Sequence, residues 1–198
     1  TSTAAIVFNG TGTSYTWTNT NPAIGVGSGA TGNIAAFTGL NASAAQISGQ
    51  FVVTPVFTSA NGVACLGNPQ SFSIAVNPSP IVTPVANFTI CNGETINVPL
   101  SANITSDFTW YADPNPNVTG DVNFPQPSST VINTLTNLTT VMQYVTYHVN
   151  PVSAPQGCSG NPTTFTVEVV PDVEVTSNPT IEICSGAAVN MILTANVP

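Results

Sequence analysis

Apolar and polar residues alternate with a period of two over most of this chain, and sustained helical spacing with caps is missing. The alternation marks Gln50–Phe57 and Val141–Val149 as long strands, and Tyr15–Thr18 and Phe108–Tyr111 as short ones centred on tryptophan. Ala4–Phe8 and Thr95–Leu100 read as earlier strands. Ser71–Val76 and Thr163–Val170 each follow a Gly/Asn/Pro turn, so they read as hairpin partners of the long strands. Ile81–Val85 and Val173–Ser177 read as the first strands of new units.

These elements recur. Trp17 and Trp110 lie 93 positions apart, as do Phe51 and Tyr144, Cys65 and Cys158, Phe72 and Phe165, and Cys91 and Cys184. Cys65-Leu66-Gly67-Asn68-Pro69 matches Cys158-Ser159-Gly160-Asn161-Pro162, and Ile90-Cys91-Asn92-Gly93 matches Ile183-Cys184-Ser185-Gly186. Constant spacing at scattered sites is the mark of a tandem array, and it predicts that small insertions cancel between Gly27 and Gln50. It divides the chain into 1–78, a unit lacking its first strand; 79–171, a complete unit; and 172–198, the first strands of a third. About seven short strands per unit, with tryptophan in the third, predict an all-β chain of tandem immunoglobulin-like antiparallel sandwiches. Trp17, Trp110, Phe51 and Tyr144 are the expected core. The short Pro-bearing junctions at Pro78-Ser79-Pro80 and Pro171-Asp172 are expected to hold neighbours end to end as semi-rigid rods.

Composition narrows the function. The chain has no Lys or Arg, eight acids and a formal net charge of −8. Nucleic-acid backbones are bound chiefly through cations, and anionic membrane surfaces likewise, so neither is an expected partner. No apolar run reaches the ~18 residues of a membrane helix. No signal peptide opens the sequence. The ends look arbitrary, so the chain is expected to be a piece of a longer exported protein. Without cations there is no Lys–carboxylate or Arg–carboxylate pair, and stability must come from burial, backbone pairing and disulfides.

The run Thr89-Ile90-Cys91-Asn92-Gly93-Glu94-Thr95-Ile96-Asn97-Val98 resembles the start of PKD-like, Ig-like repeats. Gln143–Val149, Gly157–Pro162 and Phe165–Val169 resemble their end. Such repeats fill giant surface proteins of the Bacteroidota, among them the mobile adhesins of gliding bacteria exported by the type IX system. The resemblance covers nearly the whole chain. It implies an extracellular β-sandwich array, at the cell surface, whose partners are neighbouring repeats of the same chain. It implies no binding residues.

Candidate chemistry is sparse. His148 is the single histidine, opposite Pro55 in the repeat, and one histidine builds neither a triad nor a His-based metal site. Paired carboxylates could cleave glycosides only if held ~5–10 Å apart, and most of the acids do not recur in the other copy. No enzyme and no cofactor is expected. Asp113-Pro114-Asn115-Pro116-Asn117-Val118-Thr119-Gly120-Asp121 spaces oxygen ligands in a way that could cage Ca²⁺ through Asp113 and Asp121. Two prolines and the missing distal Glu favour an ordinary Asx/Pro turn. Six Asn-x-Ser/Thr sequons occur, at Asn9, Asn41, Asn87, Asn103, Asn117 and Asn137; most are read as compositional, though exposed ones could carry glycans.

Cys65, Cys91, Cys158 and Cys184 are disulfide candidates, as expected of an exported chain. If the first strand runs from one end of the sandwich to the other, Cys91 and Cys158 lie at opposite ends, beyond the ~7 Å a disulfide spans. Staples between neighbouring units are then expected, Cys158 with a cysteine ahead of Thr1 and Cys91 with one beyond Pro198. A rerouted first strand would instead allow a Cys91–Cys158 bond. The function expected is a structural stalk of a secreted adhesin, for attachment or gliding; the alternative is a polysaccharide- or protein-binding module using loops at one end of the sandwich.

Overall fold

The computed structural model describes residues 3–177 and 180–196. The chain is all-β and forms two compact units, Thr1–Ser79 with Gln156–Cys158, and Pro80–Pro155 with Ser159–Pro198. Residues 172–198 thus fall with the second unit.

Unit 1 carries β1 (Ser14–Asn19), β2 (Gly29–Thr31), β3 (Ile47–Thr58), β4 (Ala64–Leu66) and β5 (Gln70–Val76). They form one sheet in the order β2-β1-β3, with β4 and β5 both pairing β3. The opposite layer includes an Ile6–Ile34 bridge, and Ala4–Phe8, expected as a full strand, contributes only that bridge. Unit 2 carries β6 (Phe88–Ile90), β7 (Thr95–Pro99), β8 (Ser106–Ala112), β9 (Val118–Thr119), β10 (Gln126–Pro127), β11 (Thr130–Thr134), β12 (Thr136–Asn137), β13 (Gln143–Ser153) and β14 (Thr163–Val169). One sheet runs β10-β8-β13-β14-β6; the pairs β11-β7 and β12-β9 supply the facing layer. All these pairs are antiparallel except β6 on β14, which is parallel. Between the layers sit Trp110, Tyr147, Val149, Phe165 and Val167 from the large sheet with Ile96 and Val131 from the small one.

Two repeated motifs have mechanical reasons. Cys-x-Gly is a tight turn, in which Glu94 N–H donates to Cys91 O and Ala187 N–H to Cys184 O. Gly93 and Gly186 take φ of +75° and +84° there, which a side chain resists. In the second cysteine motif, Gly67 N–H donates to Pro55 O and Gly160 N–H to Pro151 O. A Cβ on Gly160 would collide with the Pro80 carbonyl and the Pro151 ring.

Strand register corrects the uniform spacing. Trp17 lies opposite Val53, but Trp110 lies opposite Val149. Phe51 lies opposite Phe72, but Tyr147 lies opposite Phe165. The structural counterpart of Phe51 is therefore Tyr147, 96 positions on, and not Tyr144. Unit 2 gains three residues before its long strand and loses them in the following hairpin, where Pro151 to Gly160 is three residues shorter than Pro55 to Gly67. The insertions do not cancel before Gln50. With a side-chain period of two, a three-residue slip turns Tyr144 to the opposite face; it is 54% exposed, whereas Tyr147 is fully buried. The counterpart of His148 is Val52 for the same reason, not Pro55.

The aromatic stack follows the corrected register. Phe51 stacks on Phe72 at 5.0 Å with Trp17 at 6.0 Å, and Tyr147 stacks on Phe165 at 5.0 Å with Trp110 at 6.0 Å. Unit 2 adds a polar bond, the buried Asn133 amide donating to the Tyr147 phenol oxygen at 2.9 Å. Burial pushes the Tyr147 phenol up to about 12; the Asn133 bond opposes the rise and the Asp121 charge adds to it. An unfolded tyrosine ionises near 10. The stability from this group is therefore complete below pH ~10 and is lost as pH climbs through the folded value, about 2–3 kcal/mol in all. Tyr147→Phe is expected to flatten that alkaline loss in urea midpoints taken from pH 9 to 12. At neutral pH it should cost about 1–3 kcal/mol, because the Asn133 amide is left unpaired. A wild-type alkaline limb retained in the variant would show that another group titrates.

Candidate functional site

The outward face of the large sheet in unit 2 holds the one mixed cluster of aromatic, imidazole and carboxylate groups among the described residues. Tyr111 on β8 lies directly across from His148 on β13. Their rings stack at 4.7 Å, 8° from parallel. His148 Nε2 sits 3.0 Å from Asp113 Oδ1, with the imidazole 28% and the carboxylate 57% exposed. Asp113 is held there by its own N–H, which donates to Thr146 O at 2.8 Å. Around the trio the strands present hydroxyls, with Thr146 and Thr166 3.4 Å apart, and Glu168 accepting from Thr89 at 2.8 Å. At the matching place in unit 1, Thr18 faces Val52. The cluster offers a flat ring, an imidazole and an acceptor, which suit recognition of hydroxyl- or amide-rich ligands. It contains no nucleophile positioned by a base.

The sequence offered His148 as a lone histidine in a strand and did not set it beside Tyr111 and Asp113. Only the pairing of β8 with β13 unites them, and the shift from 93 to 96 positions hid that register.

The two acids considered for Ca²⁺ are engaged separately. Asp113 meets His148, and Asp121 Oδ2 accepts the Asn115 N–H at 2.8 Å. Asn115 Oδ1 in turn accepts the Asn117 N–H at 2.9 Å. These are local side-chain-to-backbone bonds of an Asx-type turn. No group of three His, Cys, Asp or Glu residues with metal-site spacing occurs among the described residues.

Two of the sequons are structural plugs. The Asn137 amide donates to Val141 O at 2.8 Å and Val169 O at 3.0 Å, while its oxygen accepts from the Thr139 N–H and hydroxyl. The Asn41 amide does the same to Ala45 O and Val76 O, and its oxygen accepts from the Ser43 N–H and hydroxyl. In both units the plug ties the loop before the long strand to the end of the last strand. Reading most of the sequons as compositional missed this. The signal was available, because Asn41 and Asn137 are 96 positions apart, the spacing of the long strands.

Trp17, Trp110 and Phe51 lie in the cores, at 7%, 4% and 0% exposure. The Trp110 indole N–H donates to Thr130 O at 3.1 Å. Cys65, Cys91 and Cys184 are exposed thiols, and Cys158 is half-buried. Ser159, beside Cys158, bridges Val152 ahead of β14, whereas Cys91 follows Ile90, which pairs with Val169 at the far end of β14. β14, seven residues and about 20 Å long, runs between these two ends.

Residues 88–173 match the PKD-like domain family. No curated protein matches the chain. Among solved structures, surface layer protein SbsC, domains 1-6, is 13% identical over 82% of this chain and 21% of its own, with a TM-score of 0.30. Protocadherin Gamma B2 extracellular cadherin domains 3-6 is 13% identical over 85% of this chain and 44% of its own, with a TM-score of 0.33. The chain thus spans about a fifth of the first structure and under half of the second. No helix among the described residues is long and apolar enough to cross a membrane.

Proposed function

We propose that this chain is a non-catalytic stalk segment of a large secreted bacterial surface adhesin, an extracellular run of PKD-like repeats serving attachment or gliding motility. The resemblance to Bacteroidota repeat adhesins carried by type IX export suggests that setting. One observation carries the reading: what the two units share is framework. The tryptophan stack, the Asn plug and the Cys-x-Gly-Asn-Pro hairpin recur, while the Tyr111–His148–Asp113 cluster on the sheet face does not. A segment kept for load-bearing needs its fold repeated and not its surface. In such an array the hairpin cysteine at one end of a unit, such as Cys158, pairs with the Cys-x-Gly cysteine of its neighbour, and Cys91 pairs onward in the same way. Deleting one period from the parent protein should leave surface display and attachment intact. Loss of attachment with display preserved would defeat the stalk reading.

A second reading, a polysaccharide- or protein-binding module, is favoured by the Tyr111–His148–Asp113 cluster, which one unit has and the other lacks. That cluster is on the open sheet face and not in the end loops. Tyr111→Ala with His148→Ala should abolish any specific retention on immobilised polysaccharides while leaving the melting curve nearly unchanged. Equal retention of the variant would remove this reading.

A further inference from the structure

All eight carboxylates fall in unit 2, and the chain holds no Lys or Arg to neutralise them. Two of them flank the cluster on the outward face of the large sheet. Strand register lays that face out in rows. Tyr111, His148 and Thr164 form one row across β8, β13 and β14. Thr146 and Thr166 form the next, and Asp113 joins it through its N–H bond to Thr146 O. Tyr144, Glu168 and Thr89 form the third.

Each flanking carboxylate has one oxygen engaged and one open. Asp113 Oδ1 meets His148 Nε2, and Glu168 Oε2 accepts the Thr89 hydroxyl. No described residue donates to Asp113 Oδ2 or Glu168 Oε1. Two strand spacings and one two-residue step set these side chains about 12 Å apart, roughly the span of two sugar rings. Between them stand Thr146 and Thr166, beside the stacked Tyr111 and His148 rings.

This chemistry selects a ligand. Open carboxylates with no cation in their own chain call for cationic groups from outside. Hydroxyls donate and accept alike, so the two threonines match sugar hydroxyls in either sense. A neutral polymer leaves the carboxylates unpaired, and an acidic one is repelled by a net charge of −8. The matching face of unit 1, where Thr18 lies opposite Val52, has neither ring nor acid.

We propose that the outward sheet face of unit 2, between Asp113 and Glu168, binds a cationic amino-sugar polysaccharide. This deepens the second reading above and rests on it. Asp113 Oδ2 and Glu168 Oε1 take ammonium groups, Thr146 and Thr166 take ring hydroxyls, and the Tyr111–His148 pair gives the sugar aromatic contact. The pairs are open to solvent, so binding is modest at each site and weakens as salt rises.

Calorimetric titration with a glucosamine tetrasaccharide in its ammonium form tests this, with its fully N-acetylated form and tetralysine as comparisons. The charged sugar is expected to bind one to one, at least about tenfold more tightly than either comparison. Asp113→Asn with Glu168→Gln keeps an acceptor oxygen for His148 and for Thr89, and should weaken binding at least about tenfold with the melting curve unchanged. Glu174→Gln with Glu182→Gln, the same change in net charge away from this face, should weaken it less than about twofold. Equal losses in the two variants would reduce the effect to net charge and overturn the proposal. Tetralysine binding as tightly as the charged sugar would replace the polysaccharide by a basic peptide. Equal binding of both sugars, lost in Tyr111→Ala with His148→Ala, would overturn the amino-sugar class and leave the second reading standing. No binding of the charged sugar overturns the proposal outright, and the retention experiment above then decides the second reading by itself.

Discussion

Replacing Trp110 with alanine should lower the stability of unit 2 by about 3–5 kcal/mol, the range for deleting a buried tryptophan side chain. The indole is 4% exposed, lies 6.0 Å from Tyr147 and donates its N–H to Thr130 O. Its removal opens a cavity between the two layers and leaves the Thr130 carbonyl on β11 with the Ser128 hydroxyl as its remaining side-chain donor. Neighbours in a strand-built core relax little into such a space, since each side chain is fixed by the pleat. At ~4–8 °C per kcal/mol for a domain of this size, the unit 2 melting transition should fall by more than about 12 °C. The chain has only two tryptophans, so in the variant Trp17 becomes the sole fluorescent reporter of unit 1, and its transition should stay near its original temperature. A drop below about 3 °C in the unit 2 transition would mean that Trp110 is not a keystone of the core.

Asn137→Asp should cost about 2–4 kcal/mol although it changes a single atom type. The amide nitrogen of Asn137 points at two carbonyl oxygens, Val141 O and Val169 O, in a residue 4% exposed. A carboxylate there sets three oxygens against one another while keeping the acceptor bonds from Thr139. Protonation restores one donor, so the loss should shrink as the pH falls toward the carboxyl range. Asn41→Asp should act in the same direction but more weakly, since Asn41 is only half-buried. Asn9→Asp, at an exposed position, should stay within about 0.5 kcal/mol. Urea unfolding at pH 7 and pH 4 separates these cases. Equal effects at Asn137 and Asn9 would show that the plug contributes nothing.

The same plug bears on modification. A side-chain amide already bonded to two carbonyls is closed to a transferase while the unit is folded. Asn137 therefore reads as a sequon and behaves as a brace. The sequence pattern Asn-x-Ser/Thr supports both readings; burial and bonding choose between them.

Much was settled by the order of residues alone. Period-two alternation in β8, β13 and β14 determines that they are strands and sorts their side chains onto two faces, because successive side chains in a strand must point to opposite faces. The recurrence of Trp17 in Trp110 and of the cysteine motifs determines that a unit is repeated. The absence of Lys and Arg leaves no Lys–carboxylate or Arg–carboxylate ion pair in the chain whatever the fold. What alternation leaves open is register. A strand pattern is unchanged by sliding two residues, and a repeat length can shift locally when one loop lengthens and the next shortens. Only the pairing of Trp17 with Val53 and Trp110 with Val149 showed that Tyr147, not Tyr144, is the partner of Phe51. Only the same pairing put His148 against Tyr111 and Asp113. The parallel seat of β6 on β14 was likewise decided in three dimensions, since Phe88 and Val167 are distant in sequence and meet through backbone hydrogen bonds that carry no residue code.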